Sequence, residues 1–310
     1  MKLVSYRTPQ AFAGEPGRAE NLGIAVGDRL IPVSRLGAGL PTTMTAFLAG
    51  THGSLGAMQA AWQAAGDETG SSSGIALDQV ELLAPVPRPG KIVAAGVNYR
   101  DHAAEGGRDA PDHPVLFAKF PTSVIGHGSE IRWDPQLTQA VDFEAELAVV
   151  IGRTCRRVEE ADALEYVGGY TCLNDVSARD LQYSDRQFVR GKSLDTFCPM
   201  GPWLVTPDEV GDPQSLGIRC IVNGETMQDA STSEMVFGIA QLISFCSQAF
   251  TLEPGDVIAT GTPSGVGWYR EPKRMLGDGD EVVVEIERVG RLVNTCREEW
   301  EPLGSSRRNA

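Results

Sequence analysis

The sequence predicts a strand-dominated α+β protein, with a small N-terminal α/β unit over residues 1–80 and a larger body over 81–300. Three observations carry this reading. Short apolar runs rich in Val and Ile recur along the chain, bounded by Gly, Pro, Asn and Asp. The pair Asn223-Gly224 separates two such runs, the strongest short-range sign of a β-hairpin. Apolar residues recur at helical spacing over only two longer stretches, 43–65 and 234–250.

Taken in order, 2–6, 22–26 and 30–33 read as strands, the last two joined at Gly27-Asp28. Met44, Phe47, Leu48, Leu55, Met58 and Trp62 place helical pieces over 43–65, interrupted at Gly50-Thr51-His52-Gly53. The Gly-Ser-Ser-Ser-Gly run at 70–74 is a flexible linker or exposed loop. No chemically active cluster falls in 1–80, so packing or a dimer scaffold is its expected role. The proline-rich segment 85–90 then stiffens the approach to a buried strand at 91–97. Residues 101–105 form one helical turn, ended by Gly106-Gly107, and 108–114 is irregular, as a mobile lid would be.

A strand at 115–120 carries Lys119, and 141–152 reads as another strand. Residues 163–167 lead through Gly168-Gly169 into a strand that ends at Asn174-Asp175. Beyond the hairpin at 217–226, Ser233 is placed to cap a helix over 234–250. A strand at 257–260 opens into the Gly-rich loop 261–267. A second hairpin, 282–286 with 290–294, closes the body, and 301–310 reads as a disordered tail.

The 310 residues are 42% hydrophobic and 22% charged, an ordinary globular composition with ample material for a core. No apolar run approaches the ~18 residues of a membrane span. The first residues lack the apolar stretch and cleavage site of an export signal, and the six cysteines include no C-x-x-C. A cytoplasmic protein with reduced thiols is expected. Net charge is −14, and the body holds all of it. Such a surface excludes nucleic acid and anionic membrane as partners, while a small anionic substrate can still meet a metal and a few local cations.

The chemistry concentrates in 141–152. A strand sends alternate side chains to one face, so Glu144 and Glu146 point together. Paired carboxylates on an apolar strand repel and are costly to bury. A divalent cation resolves that conflict, and Mg²⁺, Mn²⁺ or Ca²⁺ take such hard oxygen ligands. The competing reading is the solvated face of an edge strand. The same register runs on into Ala148 and Val150, which favours a pocket.

Asp175 is the best third carboxylate, with a turn residue or helix cap as its alternative. His102 and Glu105 share a face at i,i+3. Arg179 and Gln182, one turn apart, could hold a substrate carboxylate or line a solvated helix face. Lys192 is equally readable as a surface lysine. The 261–267 loop lacks the Lys-Ser/Thr of a phosphate loop, which rejects nucleotide binding. Its glycines let backbone N–H groups and Thr262 approach a ligand.

These segments together carry a resemblance: 96–102 (Gly-Val-Asn-Tyr-Arg-Asp-His), 142–147 (Asp-Phe-Glu-Ala-Glu-Leu), 174–182 (Asn-Asp-Val-Ser-Ala-Arg-Asp-Leu-Gln), Gly191-Lys192-Ser193 and 260–267. Over about 91–297 the chain resembles the fumarylacetoacetate hydrolase family, in its acylpyruvase-like branch with a small added N-terminal domain. The resemblance implies a mixed β-sandwich roll, a homodimer, and Mg²⁺ or Mn²⁺ on Glu144, Glu146 and Asp175. It also implies a His102–Glu105 dyad on a lid, Lys192 near the metal-bound oxygens, and substrate contacts at Lys119, Arg179, Gln182 and Thr262. The chain departs from the larger fumarylacetoacetases in lacking their additional aspartate ligand upstream of the histidine.

The expected activity is metal-dependent hydrolysis of a C–C bond in a 2,4-diketo acid of the acylpyruvate class. Glu105 would orient His102, which would deprotonate the attacking water. Decarboxylation or keto–enol isomerisation of a related oxo acid uses the same site and stands as the alternative. A non-catalytic metal-binding scaffold is the reading from another class.

Overall fold

Strands β1 (Lys2–Arg7), β2 (Asn21–Val26) and β3 (Arg29–Pro32) form an antiparallel meander. Gly27, at φ +59°, makes the turn between the last two, a conformation glycine adopts without steric cost. Helices α1 (Met44–Ala49) and α2 (Thr51–Ala65) follow, parted at Gly50, and the Thr43 side chain caps α1 by accepting from Ala46 N–H. Two short strands, β4 (Ile75–Ala76) and β5 (Glu81–Leu82), return to pair with β3 and β1. The computed structural model describes residues 1–8, 20–66 and 74–299, with the side chains of 51–53 left aside. The loop expected at 70–74, apart from Gly74, and the tail at 301–310 lie outside these residues.

The body begins with β6 (Ile92–Gly96), α3 (Arg100–Glu105), β7 (Val115–Lys119), β8 (Val124–Ile125) and β9 (Glu130–Trp133). Next come β10 (Val141–Asp142), β11 (Ala145–Ile151), β12 (Val167–Asn174) and β13 (Ser177–Ala178). Helices α4 (Arg179–Asp185) and α5 (Phe188–Lys192) lead to β14 (Cys198–Val205) and α6 (Pro207–Val210). The remainder is β15 (Gly217–Val222), β16 (Glu225–Ser231), α7 (Ile239–Ala249), β17 (Val257–Ala259), β18 (Glu281–Ile286) and β19 (Gly290–Glu298).

One large mixed sheet runs β4-β3-β2-β1-β14-β12-β11-β17-β6-β7, with β5 and β8 attached at β1 and β14. Its pairings are antiparallel except β17–β6 and β14–β8. A second sheet, β16-β15-β18-β19-β9, covers one face of it. The strand-dominated α+β expectation therefore holds. The strands of 1–80 extend the body's sheet through β1 on β14, registering Leu3 with Leu204.

β11 explains why the sheet is covered on both faces. Leu147, Val149 and Ile151 pack toward Ile218, Cys220, Val282 and Val284 of the second sheet. Ala148 and Val150 pack toward Met44, Phe47, Leu48 and Met58 of α1 and α2. A strand buried on both faces reads as a continuous apolar run. Glu144 and Glu146 share the parity of Ala148 and Val150, inside the protein; the solvated-edge reading fails.

Two boundaries differ from the sequence reading. The run 141–152 is broken at Phe143-Glu144, because Val141 and Asp142 pair instead with Ala178 and Ser177 of β13. The helix expected over 234–250 starts only at Ile239. Ser231, not Ser233, is the cap, closing a capping box with Glu234 over a short 3₁₀ turn. Asn98 binds the N–H and C=O of Phe237 through its side chain, satisfying that peptide outside the helix. The hairpin is as expected: Asn223 and Gly224 both adopt positive φ, at 50° and 81°. All six cysteines are buried and unpaired, and no helix among the described residues is long and apolar enough to cross a membrane.

Candidate metal and active site

Antiparallel pairing of β11 with β12 brings the start of one strand to the end of the other, with Ala145 opposite Asn174. Asp175 N–H donates to Glu144 O, and Asn174 Oδ1 accepts from Glu144 N–H, so the two strand ends are tied at the carboxylates. On the other side β17 ends at the same level, and Gly261 N–H donates to Glu146 Oε2 at 2.8 Å. Gly261 sits at φ +93°, and a Cβ there would lie 2.7 Å from Asn98 Cβ. Glycine is needed to pass that close. The carboxylates of Glu144, Glu146 and Asp175 converge, each offering an oxygen within 4.8 Å of the others, and all three residues are buried.

Cations surround this group. Lys192 Nζ lies 2.7 Å from Glu144 Oε2 and 2.8 Å from Asp175 Oδ2. Arg179 places Nε on Asp142 and Nη1 on Glu144, at 2.8 and 2.7 Å, and Nη1 also donates to Gln182 Oε1. Lys119 Nζ is 2.6 Å from Asp175 Oδ1 and donates to the carbonyl of Lys192. Burial opposes the charge of Glu144, yet Lys192, Arg179 and His102 outweigh it and hold its carboxyl at about 2. Glu146 makes no ion pair among the described residues, and the charge of Lys192 and the Gly261 N–H only partly favour its ionised form. Burial, then the charges of Asp175 and Glu144, push it well above the usual carboxylate range.

That imbalance tests the site against a metal ion. The donor set is three mutually close, buried carboxylates, which suits Mg²⁺, Mn²⁺ or Ca²⁺. Glu146 makes no ion pair among the described residues, and a divalent cation at this point would give it a direct positive partner. The residues fit the group.

The catalytic candidates face the same cavity, of about 270 Å³. β6 delivers them: Val97 turns the chain at φ +56°, an unusual conformation for a β-branched residue and one that recurs at functional sites. α3 then begins, and His102 Nδ1 lies 2.7 Å from Glu105 Oε1. The other Glu105 oxygen accepts from Gly265 N–H, and Asp101 accepts from the Ser264 hydroxyl, so α3 is docked on the loop after β17. His102, Glu144, Glu146, Arg179, Gln182, Lys192 and Thr262 all line the cavity.

Lys119 is placed elsewhere. It is 1% exposed and pairs with Asp175, and it does not line the cavity. Thr262 reaches the cavity with its hydroxyl donated to Ala145 O and accepting from Gln228. Several residues went unnoticed in the sequence. Asp142 accepts from Arg179 and from the N–H groups of Gly267 and Trp268, tying the guanidinium to the Gly-rich loop. Arg108, Tyr183, Arg186 and Tyr269 also line the cavity. The placement of Asp142 beside the E-x-E pair was the one available signal. The others lie in irregular segments or on a helix face with no pattern.

A buried carboxylate trio that could hold a divalent cation, with His102 of a His–Glu pair facing the same cavity, is the arrangement of a metal-dependent enzyme site. The family described as "Fumarylacetoacetate (FAA) hydrolase C-terminal" matches residues 91–297, well over half the chain. The protein belongs to the fumarylacetoacetate hydrolase family. Human "Oxaloacetate tautomerase FAHD2A, mitochondrial" is 42% identical over 296 residues, spanning 95% of this chain and 91% of the relative. "Oxaloacetate tautomerase YisK" of Bacillus subtilis is 48% identical over 231 residues, 74% of this chain and 76% of that one. Among solved structures, maleylpyruvate hydrolase from Sphingobium sp. SYK-6, in complex with manganese (II) ion and pyruvate, is 32% identical with a TM-score of 0.76. That match covers 97% of this chain and 100% of the other.

Proposed function

We propose that the protein is a divalent-metal-dependent keto–enol tautomerase of a small 2-oxo dicarboxylic acid of the oxaloacetate class. The observation that carries this is that one small cavity is lined by His102, which Glu105 holds through Nδ1, and by Glu144 and Glu146, whose carboxylates converge with that of the buried Asp175. At about 270 Å³ the cavity lies just below the usual span of ligand sites, roughly 300 to 1,000 Å³, and suits a small acid. The names of the two relatives support tautomerisation over the C–C hydrolysis expected from the sequence.

Mg²⁺ or Mn²⁺ on Glu144, Glu146 and Asp175 would act as a Lewis acid toward the 2-oxo acid end of the substrate. The protein's own residues do the rest. Among the described residues one nitrogen of Arg179, Nη2, is buried without a partner, and it would take a substrate carboxylate beside Gln182. Glu105 fixes the His102 ring through Nδ1, which leaves Nε2 as the base. That nitrogen takes the proton from the carbon next to the keto group and delivers it to the keto oxygen, breaking C–H and forming O–H, and carries it back to carbon in the reverse direction. The proton moves between carbon and oxygen, and no water is consumed.

Hydrolysis stands as a second reading because the same dyad can deprotonate water, and because a maleylpyruvate hydrolase shares the fold. Products separate the two. Metal-loaded protein given enol oxaloacetate should speed loss of the enol ultraviolet band without forming pyruvate. Given acylpyruvates, a hydrolase would release pyruvate and a second acid. His102→Ala should lower tautomerisation at least ~100-fold, as for loss of a general base, and leave the metal-induced rise in Tm intact. Undiminished turnover in that variant would sink the assignment of the base, and no turnover of any oxo acid by the metal-loaded parent would leave the scaffold reading.

A further inference from the structure

Four cations line the cavity, and two of them are engaged with the buried carboxylates. Lys192 and Arg179 sit on Glu144, Asp175 and Asp142. Arg108 and Arg186 also line the wall, and among the described residues neither has a carboxylate partner. In a chain of net charge −14, two guanidinium groups at one small cavity thus have no carboxylate partner among the described residues. Such placement focuses an anion into a cleft.

The backbone holds both arginines in position. Gly107 N–H donates to Ala104 O and Arg108 N–H to Ala103 O, with Gly107 at φ +65°, a Schellman ending to α3. Arg108 is thereby fixed to the same short helix as His102. Arg186 ends α4 in the left-handed region, at φ +59° and ψ 3°. That position ordinarily takes glycine or asparagine. An arginine there accepts backbone strain, and strained positions gather at ligand sites.

Two phenols complete this part of the wall. Tyr183 Oη and Tyr269 Oη are 2.9 Å apart, and Trp268 stacks on the Tyr183 ring at 5.2 Å. The Tyr269 ring meets His102 edge-on at 6.1 Å. Its hydroxyl would lie 3.1 Å from a Cβ added at Gly106, so it is seated against the end of α3 beside Arg108. Burial and the bond to Tyr269 push the Tyr183 phenol above its usual range, and it stays a neutral donor.

We propose that Arg108, Arg186 and the Tyr183–Tyr269 hydroxyl pair form a distal anion subsite that receives the second carboxylate of the substrate. The subsite selects 2-oxo dicarboxylic acids over their monocarboxylic counterparts. It rests on the reading above, in which the 2-oxo acid end of the substrate occupies the metal side of the cavity.

The test uses two stable ligands that share a 2-hydroxy acid end, malate and lactate. Only malate carries the second carboxylate. In calorimetric titrations of Mn²⁺-loaded protein, malate should bind at least about tenfold tighter than lactate, the share of a charge-assisted hydrogen bond. The double variant Arg108→Gln/Arg186→Asn removes both charges, and asparagine tolerates the left-handed conformation. Its malate-to-lactate ratio should fall to about two or less, with lactate affinity unchanged as the control for folding and metal loading. Tyr183→Phe should lower malate affinity alone, by a few fold. Equal affinities in the parent, absent malate binding, or a ratio that survives the double substitution would overturn the subsite. If the ratio behaves as expected but oxaloacetate is not tautomerised, the subsite stands and the proposed reaction falls.

Discussion

Glu144 and Glu146 sit two residues apart under opposite electrostatic conditions, and their response to pH differs in sign. Glu144 is held at about 2 against an ordinary 4.5. A lowered carboxyl favours the folded state above pH 4.5, and that contribution is lost as pH falls toward 2. Glu146 is raised, so without metal it costs nothing at low pH and weakens the fold increasingly as pH climbs above 4.5. Metal-free Glu146→Gln should therefore melt above the metal-free parent at neutral pH, with the gap closing toward pH 4. Mn²⁺ reverses the order. At 100 times its Kd a ligand adds about 2.7 kcal/mol to the parent, and the glutamine variant should lose most of that gain. Thermal scans in chelator and in Mn²⁺ read both effects. A parent that melts identically in the two buffers would remove the metal from this site.

Among the elements, α3 matters most, because a helix of one and a half turns cannot hold His102, the proposed base, by its own hydrogen bonds. It is held by Asp101 on Ser264 and Glu105 on Gly265. Asp101→Ala cuts the first tie and leaves the His102–Glu105 pair. Turnover should fall by roughly tenfold, as for a small misplacement of a reacting group, with metal-induced stabilisation unchanged. Hydrogen exchange should quicken together at 100–107 and 261–267; protection unchanged in both would mean that the latch does not hold the helix. The one-turn helix, the Asn223-Gly224 hairpin and the convergence of Glu144 with Glu146 were all legible, since each follows from local spacing. The latch was not, because its partners lie 163 and 160 residues apart. Alternation tells which face a side chain takes, not what meets it there. The same limit hid the Tyr183–Tyr269 pair and the pairing of Lys119 with Asp175, and a helix start displaced by Asn98 has no trace in its own segment.

Across the whole molecule, residues 1–80 and the body share one sheet and one apolar layer. Leu3, Met44, Phe47, Leu48 and Met58 are buried against Ile92, Ala94, Val150 and Leu204. Burying a side chain of this size is worth about 1.5–3 kcal/mol, so Met44, Phe47, Leu48 and Met58 together match the roughly 5–15 kcal/mol by which a whole protein is stable. We infer a homodimer from the family, and light scattering should return twice the 33.2 kDa of one chain. Whatever the assembly, each chain should unfold as one unit. Calorimetry of the metal-loaded protein should give a single transition, and removing residues 1–80 should expose Ala148 and Val150 of β11 on the side that carries Glu144 and Glu146. The shortened chain should be insoluble or bind Mn²⁺ without the parent's stabilisation. A soluble fragment from residue 81 with full metal response and turnover would show instead that the carboxylate trio is held by the second sheet and the strand ends alone.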